Sequence, residues 1–462
     1  MTTLLRASAA RRRTVPLCLH RPIAAAGLAL LAGFAGPAAA SAAVPAPATS
    51  SVGIGPAAAT PATTRISVDS TGGQAVDSNS EPFGVSADGR YVSFTSYADN
   101  LVPGDTNNNA DVFVHDRRTG TTSLVSRSTT GTPGNSASLG QSLSPDGRYV
   151  AFASDADNLV PGDTNGVYDG FVHDRRTGTT TRVTLTDGDT QADAHSYAPA
   201  ISADGRFVAF ASQATNLVPG DPNGLTDIFL RDRQAGTTVQ VSGENADSPS
   251  EGPVISADGR FVAFVTDAAL VPNDVSGTYD VYVRDVRTGS LQRVNVSTTG
   301  DYVEGITVSP TLSADGRFVA FNTDAALAPD DTNWVNDVYV RDLRAGTTVR
   351  ASSAADGGPA TGGGSYGPAL SADGRYVVFG SDATDLVARD TNGVPDVFLR
   401  DLRAGTTVRV SLSAGGRQAN NHSYQGVVTP DGRQVAFASG ATNLVPGDTN
   451  GVIDVFLRRL AG

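Results

Sequence analysis

The sequence predicts an all-β fold: a seven-bladed β-propeller of four-stranded antiparallel blades, closed by pairing of the N-terminal strand with the last blade. Three observations predict it. First, Asp-Gly-Arg recurs at Asp88, Asp146, Asp204, Asp258, Asp315, Asp373 and Asp431, with spacings of 58, 58, 54, 57, 58 and 58 residues. A near-constant period marks a repeat architecture. Second, each repeat holds four short strand-like runs and no useful helical periodicity. Third, the 462 residues include 51 Gly, 25 Pro and 43 Asp against only 4 Glu, which suits a chain built on ordered turns.

The third repeat shows the unit. Ala198 to Ser202 reads as a short apolar strand and Asp204-Gly205 as a tight hairpin turn. Arg206 to Ser212 is a second strand, followed by a long polar loop from Asn216 to Thr226. Asp227 to Arg231 is a third strand, Gln234-Ala-Gly236 a turn, and Thr237 to Ser242 a fourth, more polar strand. The second and third strands are almost continuously apolar, as in sheets covered on both faces by neighbouring sheets.

The chain ends favour a closed ring. The seventh repeat stops after its third strand, Asp454 to Leu460, while an orphan strand, Thr63 to Val68, precedes the first. The orphan matches the fourth strands Thr122 to Ser126, Thr348 to Ser352 and Thr407 to Ser411. Pairing 64–68 with 454–460 would cover both exposed strand edges.

The unit Ser-Ala-Asp-Gly-Arg-(Tyr/Phe)-Val-Ala-Phe-x-Ser, followed by Asp-Val-Phe-Val-Arg-Asp-x-x-(Thr/Ala)-Gly-Thr-Thr, resembles the WD40-like (PD40) repeat of TolB-type β-propellers over residues 63–460. The resemblance implies the fold and little about function. The N-terminal domain of TolB and the α/β-hydrolase domain of peptidases with this type of propeller find no counterpart here. The TolB-like propellers also include a polysaccharide lyase family.

Residues 1–43 read as a secretory signal peptide: Arg6, Arg11, Arg12, Arg13 and Arg21, then an apolar run from Ile23 to Gly36, then small residues to Ala43. Residues 44–62 read as a Pro/Ala/Thr linker and 63–462 as the propeller. The expected location is extracellular or at the cell wall, with no membrane insertion. All 34 basic residues are Arg, which excludes Schiff-base and P-loop lysine chemistry. The mature chain would carry 29 Arg against 47 acids, near −18, which argues against nucleic acid as a partner. Its one cysteine, Cys18, precedes the cleavage region, so no disulfide is expected.

Two sets of residues are candidates for chemistry. The loop between second and third strands repeats Asp-x-Asn-x-x-x-Asp: Asp105/Asn107/Asp111, Asp163/Asn165/Asp169, Asp221/Asn223/Asp227, Asp331/Asn333/Asp337, Asp390/Asn392/Asp396 and Asp448/Asn450/Asp454, with Asp274/Ser276/Asp280 in the fourth repeat. Oxygen ligands at positions one, three and seven resemble the front of a calcium loop, although the glutamate at position twelve is missing. Self-bonded Asx turns are the competing and favoured reading; if calcium binds, repeats two and seven are the expected sites. The second set is His195-Ser-Tyr197, His422-Ser-Tyr424 and Glu81, Glu251 and Glu304, expected in the loops entering each first strand. Such loops vary between repeats and carry specificity. His115 and His173 take the slot held elsewhere by Arg231, Arg284, Arg341 and Arg400 and read as strand-exit residues. Gly363-Gly-Ser-Tyr-Gly367 matches a nucleophile elbow only on paper, because a strand and not a helix follows. The expected function is a non-catalytic binding or scaffold module for a protein or a polysaccharide, the alternative a polysaccharide-acting lyase or hydrolase at the funnel mouth.

Overall fold

The computed structural model describes residues 61–460, apart from 222, 244–246, 273 and 275–276. The signal peptide and most of the linker fall outside the described residues. The described chain forms seven four-stranded antiparallel sheets and no helix. In blade three the strands are Ser196–Ile201, Phe207–Ser212, Asp227–Asp232 and Thr237–Gln240. The fourth strand ends two residues earlier than the sequence pattern suggests, because Ser242 turns inward to hydrogen-bond Asp227 Oδ1 at 2.5 Å.

The ring closes through the N-terminal strand. Ala62–Arg65 pairs antiparallel with Asp454–Arg459 in the register Ala62↔Arg459, Thr63↔Arg458, Thr64↔Leu457 and Arg65↔Phe456. Regular pairing stops earlier than the expected 64–68 span. Ile66 N still donates to Val455 O at 2.7 Å, but Ser67 Oγ then bonds Asp454 Oδ1 at 2.5 Å and Val68 bridges to Gln74.

The core lies between successive sheets, which is why second and third strands are buried on both faces. One cluster joins Phe83, Val112 and Val114 of blade one to Leu143, Val150 and Phe152 of blade two. Another joins Val427, Val455 and Leu457 of blade seven to Val92 and Phe94 of blade one, with Ile66 between them. Each blade also stacks one aromatic pair across its second and third strands, from Phe94–Phe113 at 5.6 Å to Phe437–Phe456 at 5.9 Å. Such pairs contribute about 0.5–1.5 kcal/mol beyond the area they bury.

The Asp-Gly-Arg turns cap one face. In blade two Asp146 Oδ1 accepts from Ser144 Oγ at 2.6 Å and from Arg148 N at 3.0 Å, and Gly147 takes φ +71°. Arg148 then reaches across to Asp174, with Nε–Oδ1 at 2.9 Å and Nη2–Oδ2 at 2.6 Å. Blades one to six repeat this fork. The loops from second to third strand, and from each fourth strand to the next first strand, emerge on the opposite face.

Candidate functional site

The Asp-x-Asn-x-x-x-Asp loops are first of all structural. The last Asp opens the third strand, is wholly or almost wholly buried, and accepts a hydrogen bond from the residue two places beyond the fourth strand. The pairs include Ser126–Asp111, Ser242–Asp227, Ser352–Asp337 and Ser67–Asp454, each at 2.5 Å. The Asn side chain donates to the same Asp and to a backbone carbonyl at the start of the next blade. Asn165 Nδ2 reaches Asp169 at 2.9 Å and Ala192 O at 3.0 Å, and Asn450 Nδ2 reaches Asp454 and Ala75 O, both at 3.0 Å.

Blade three differs from the others in the exposure of its asparagine. Asp221 and Asp227 are buried, but Asn223 between them is exposed. Asn223 Oδ1 accepts the Leu225 backbone N–H at 2.9 Å, the bond of an Asx turn. The same bond occurs at Asn107, Asn165, Asn333 and Asn450, so it is the exposure of its side chain that sets Asn223 apart. Ser276 of the fourth repeat lies outside the described residues.

The structure adds a partner that sequence spacing does not reveal. In four blades an arginine from the fourth strand lies against the two carboxylates. Arg182 is 3.3 Å from Asp163 and 3.0 Å from Asp169; Arg65 is 3.1 Å from Asp448 and 3.5 Å from Asp454. Arg293 pairs with Asp274 at 2.6 Å and Arg409 with Asp390 at 2.9 Å. In blade five Arg350 takes the neighbouring Asp330 at 2.7 Å, and the Tyr339 hydroxyl donates to Asp331. Blades two and seven, expected to be the best calcium loops, therefore hold a guanidinium beside their carboxylates. The register that pairs Phe171 with Arg182 pairs Phe113 with Leu124 and Phe229 with Gln240. Blades one and three thus have a neutral residue there, and burial, with repulsion from Asp105 and Asp99, pushes Asp111 up to about 7.

The second candidate set forms a different arrangement from the one expected. Glu81, Tyr197, Glu251 and Tyr424 are the second residues of their first strands rather than loop residues, and Tyr366 shares that position. Leu139 and Val308 complete a ring of equivalent positions around the seven innermost strands. Each innermost strand packs against those of both neighbouring blades. In blades three to seven the next residue has positive φ, at Ala198, Gly252, Ser309, Gly367 and Gln425. The resulting bulge locally re-aims the strand. Glu304 stands apart, exposed in a loop.

Aromatic rings gather at this mouth. His195 stacks on Tyr197 with centroids 5.8 Å apart and contacts Tyr168 of the preceding blade at 6.1 Å. His195 Nδ1 accepts the Tyr168 backbone N–H at 3.0 Å, which leaves Nε2 as the free ring nitrogen. His422 stacks on Tyr424 at 5.7 Å, and its Nδ1 lies 2.8 Å from Asn421 Oδ1. Burial raises the Tyr168 hydroxyl to about 12, and raises Tyr197, Tyr279 and Tyr424 as well. Burial also raises the Glu81 carboxyl; burial and then Asp267 raise that of Glu251. Each histidine is thus bound to an aromatic neighbour in its own blade. Among the described residues no three His, Cys, Asp or Glu side chains form a metal-holding group.

Sequence reasoning missed Tyr97, which is 55% exposed, and Tyr168; both precede or follow a strand without any repeat signature of their own. Trp334 is 86% exposed and holds φ +59° where Gly166, Gly393 and Gly451 stand in other blades. His115 and His173 are buried rather than exiting residues. Their Nδ1 atoms lie 2.9 Å from Thr122 and Thr180 Oγ1, in the slot where Arg231 and Arg341 meet Thr238 and Thr348. A cavity of about 380 Å³, lined by Phe318, Asp342, Arg375 and Leu402, lies on the opposite face among the hairpin turns.

No family model matches the chain, and no curated protein matches it. Solved structures share its fold. An oligogalacturonate lyase in complex with manganese is 14% identical, with a TM-score of 0.52 over 86% of this chain and 93% of that one. The β-propeller domain of the trilobed protease from Pyrococcus furiosus, described as having an open velcro topology, is 11% identical with a TM-score of 0.50 over 82% of this chain and 95% of that one. TolB from Acinetobacter baumannii is 15% identical, with a TM-score of 0.38 over 81% and 82%. The first two likenesses show the fold alone, that of a β-propeller.

Proposed function

We propose that this chain is an exported β-propeller that binds a glycan or protein partner at its aromatic mouth and carries no reaction of its own. The observation that supports this reading is the concentration of rings there: Tyr97, Tyr168, Tyr197, Tyr279, Tyr366 and Tyr424 are six of the 12 tyrosines. Tyrosine offers a flat apolar face and a polar tip, which suits stacking on a sugar ring with hydrogen bonds at its edge. The charged groups among them are acids: Glu81, Glu251, and Asp382, which accepts from the Tyr366 hydroxyl at 3.0 Å. The forked arginines Arg90, Arg148, Arg206, Arg260, Arg317 and Arg375 belong to the hairpin turns of the other face. An uncharged glycan therefore suits this mouth better than a polyanion. Export is supported by the basic start and apolar run of residues 1–43.

One observation favours the enzymatic alternative. Glu81 is a partly buried carboxyl whose pKa is raised, the property a general acid needs. One assay separates the two readings. The protein is titrated with neutral and acidic polysaccharides while polymer length is followed. Binding without cleavage, weakened about tenfold in Tyr197→Ala with Tyr424→Ala and in His195→Ala with His422→Ala, supports the binding module. Depolymerisation that vanishes in Glu81→Gln overturns it.

A further inference from the structure

The seven Asp loops are an internal control series for one question: what neutralises a buried carboxylate pair? In four of them the answer is an arginine from the same chain. In blade one the equivalent residue is Leu124, which is buried and has no donor to give. The carboxylates are nonetheless retained. Asp105 is 6% exposed, and its Oδ1 is buried without a hydrogen-bond partner. In the sister blades the oxygens of Asp163, Asp448 and Asp390 meet the guanidinium. Asp111 is fully buried, and the side chains that donate to it, Ser126 and Asn107, are neutral. Asp99 nearby also has a buried Oδ1 without a partner. Burying carboxylates without a counter-charge is strongly unfavourable.

Blade one departs from its sisters in a second way. Its loop reads Asp105-Thr-Asn107-Asn-Asn109-Ala-Asp111, with Asn109 where the others have Val167, Leu225, Thr278, Val335, Val394 and Val452. Asn109 adds an oxygen-bearing side chain at position five, beside those at one, three and seven. Alternate oxygen ligands at one, three and five are the pattern of loops that wrap a calcium ion. Asn107 Oδ1 already accepts the Asn109 N–H at 2.7 Å, so the turn is formed. Blades one and three both lack the arginine, and of these two only blade one carries an asparagine at position five.

We propose that the blade-one loop binds a single hard divalent cation of calcium size through Asp105 and Asp111, in the role that an arginine plays in four other blades. The remaining oxygens would come from Asn109, backbone carbonyls and water, since calcium takes six to eight. This site is independent of the aromatic mouth.

The test is calcium titration of chelator-treated protein by calorimetry, with melting curves in chelator and in millimolar calcium and magnesium as a control. Calcium at about a hundred times its dissociation constant is expected to raise the melting temperature by about 3 °C. Leu124→Arg supplies the missing internal cation. It is expected to fold, to lose one equivalent of calcium and to lose the thermal shift. Asp105→Asn should lose the same equivalent. Arg182→Leu with Val167→Asn should gain one, because it copies blade one onto blade two. Parent protein without calcium binding, or Leu124→Arg and Asp105→Asn with unchanged stoichiometry and thermal shift, would overturn the proposal.

Discussion

Arg65, near the start of the described chain, lies 3.1 Å from Asp448, near its end. Both side chains are almost wholly enclosed, at 10% and 4% exposure. The pair performs two tasks. It holds the N-terminal strand against the last blade, and it places a cation beside a buried carboxylate pair. Nearby, Thr63 Oγ1 donates to Leu412 O of blade six at 2.6 Å and accepts from Arg458 Nη1 at 2.9 Å. The closing strand is therefore tied to two blades.

Removing that strand should open the ring. A chain lacking residues 44–68 is expected to melt at lower temperature and to aggregate, because the Asp454–Arg459 edge and the Ile66 slot in the core become exposed. The point variant Arg65→Ala leaves Asp448 and Asp454 buried without a cation and should cost about 3–5 kcal/mol. Thermal and urea melts measure both, and an unchanged transition in the deletion would refute closure.

Acid should act on stability through groups of opposite sign. Burial, with Arg127 and Arg175, lowers His173 from 6.5 to about 4, so the folded state favours its neutral ring. That stability is present above about 6.5 and is lost as pH falls through about 4. Hydrogen bonds from Arg148 and Arg206 hold Asp174 and Asp232 down to about 2, so their contribution is lost only as pH falls from about 4 through about 2. Protonation of Asp111, held up at about 7, adds stability over the same interval and opposes the His173 loss. Melting temperatures should fall steeply below 4, and between 6.5 and 4 His173→Asn should lose less stability on acidification than the parent.

The hairpin glycines should resist substitution. Gly147 has φ +71°, and an added Cβ would lie 2.3 Å from Tyr91 Cδ2 of the preceding blade. Gly147→Ala thus combines a left-handed backbone with an inter-blade clash, and should cost more than about 1–2 kcal/mol. Gly162, also left-handed but with open space around it, should lose only the backbone part when changed to Ala. Equal losses at the two positions would show that the Tyr91 contact is unimportant.

Trp334 should trade stability for binding. A bulky side chain at φ +59° is strained, and 86% exposure returns little burial. Trp334→Gly is expected to raise stability by roughly 1 kcal/mol. If the tryptophan serves the ligand face, the same variant should bind the partner less tightly. Greater stability with unchanged binding would assign the residue no role in recognition.

Much of this fold is legible in the chain. The Asp-Gly-Arg period marks the hairpin turns, continuous apolar runs mark strands buried on both faces, and the orphan strand announces closure. The candidate site is less legible. Tyr197, Tyr424, Glu81 and Glu251 read as loop residues because their flanks vary, yet they occupy one strand position in different blades. Asn223 has the same spacing as Asn165 and Asn450 and accepts the same backbone bond, and only its exposure sets it apart. Tyr168 and His195 are 27 residues apart and belong to different blades, so no local pattern could pair them.

What the sequence by itself determined was the repeating unit: turn chemistry, strand alternation and burial are local, and each of seven copies states them again. What only the tertiary structure decided was the charge balance inside each copy. The Asp-x-Asn-x-x-x-Asp spacing is almost constant, but its electrostatics depend on one fourth-strand position across the sheet. Arg182 there provides a cation, whereas Leu124 does not. Coulomb interactions act through space and depend on burial, so identical motifs become different sites once packing brings different neighbours to them.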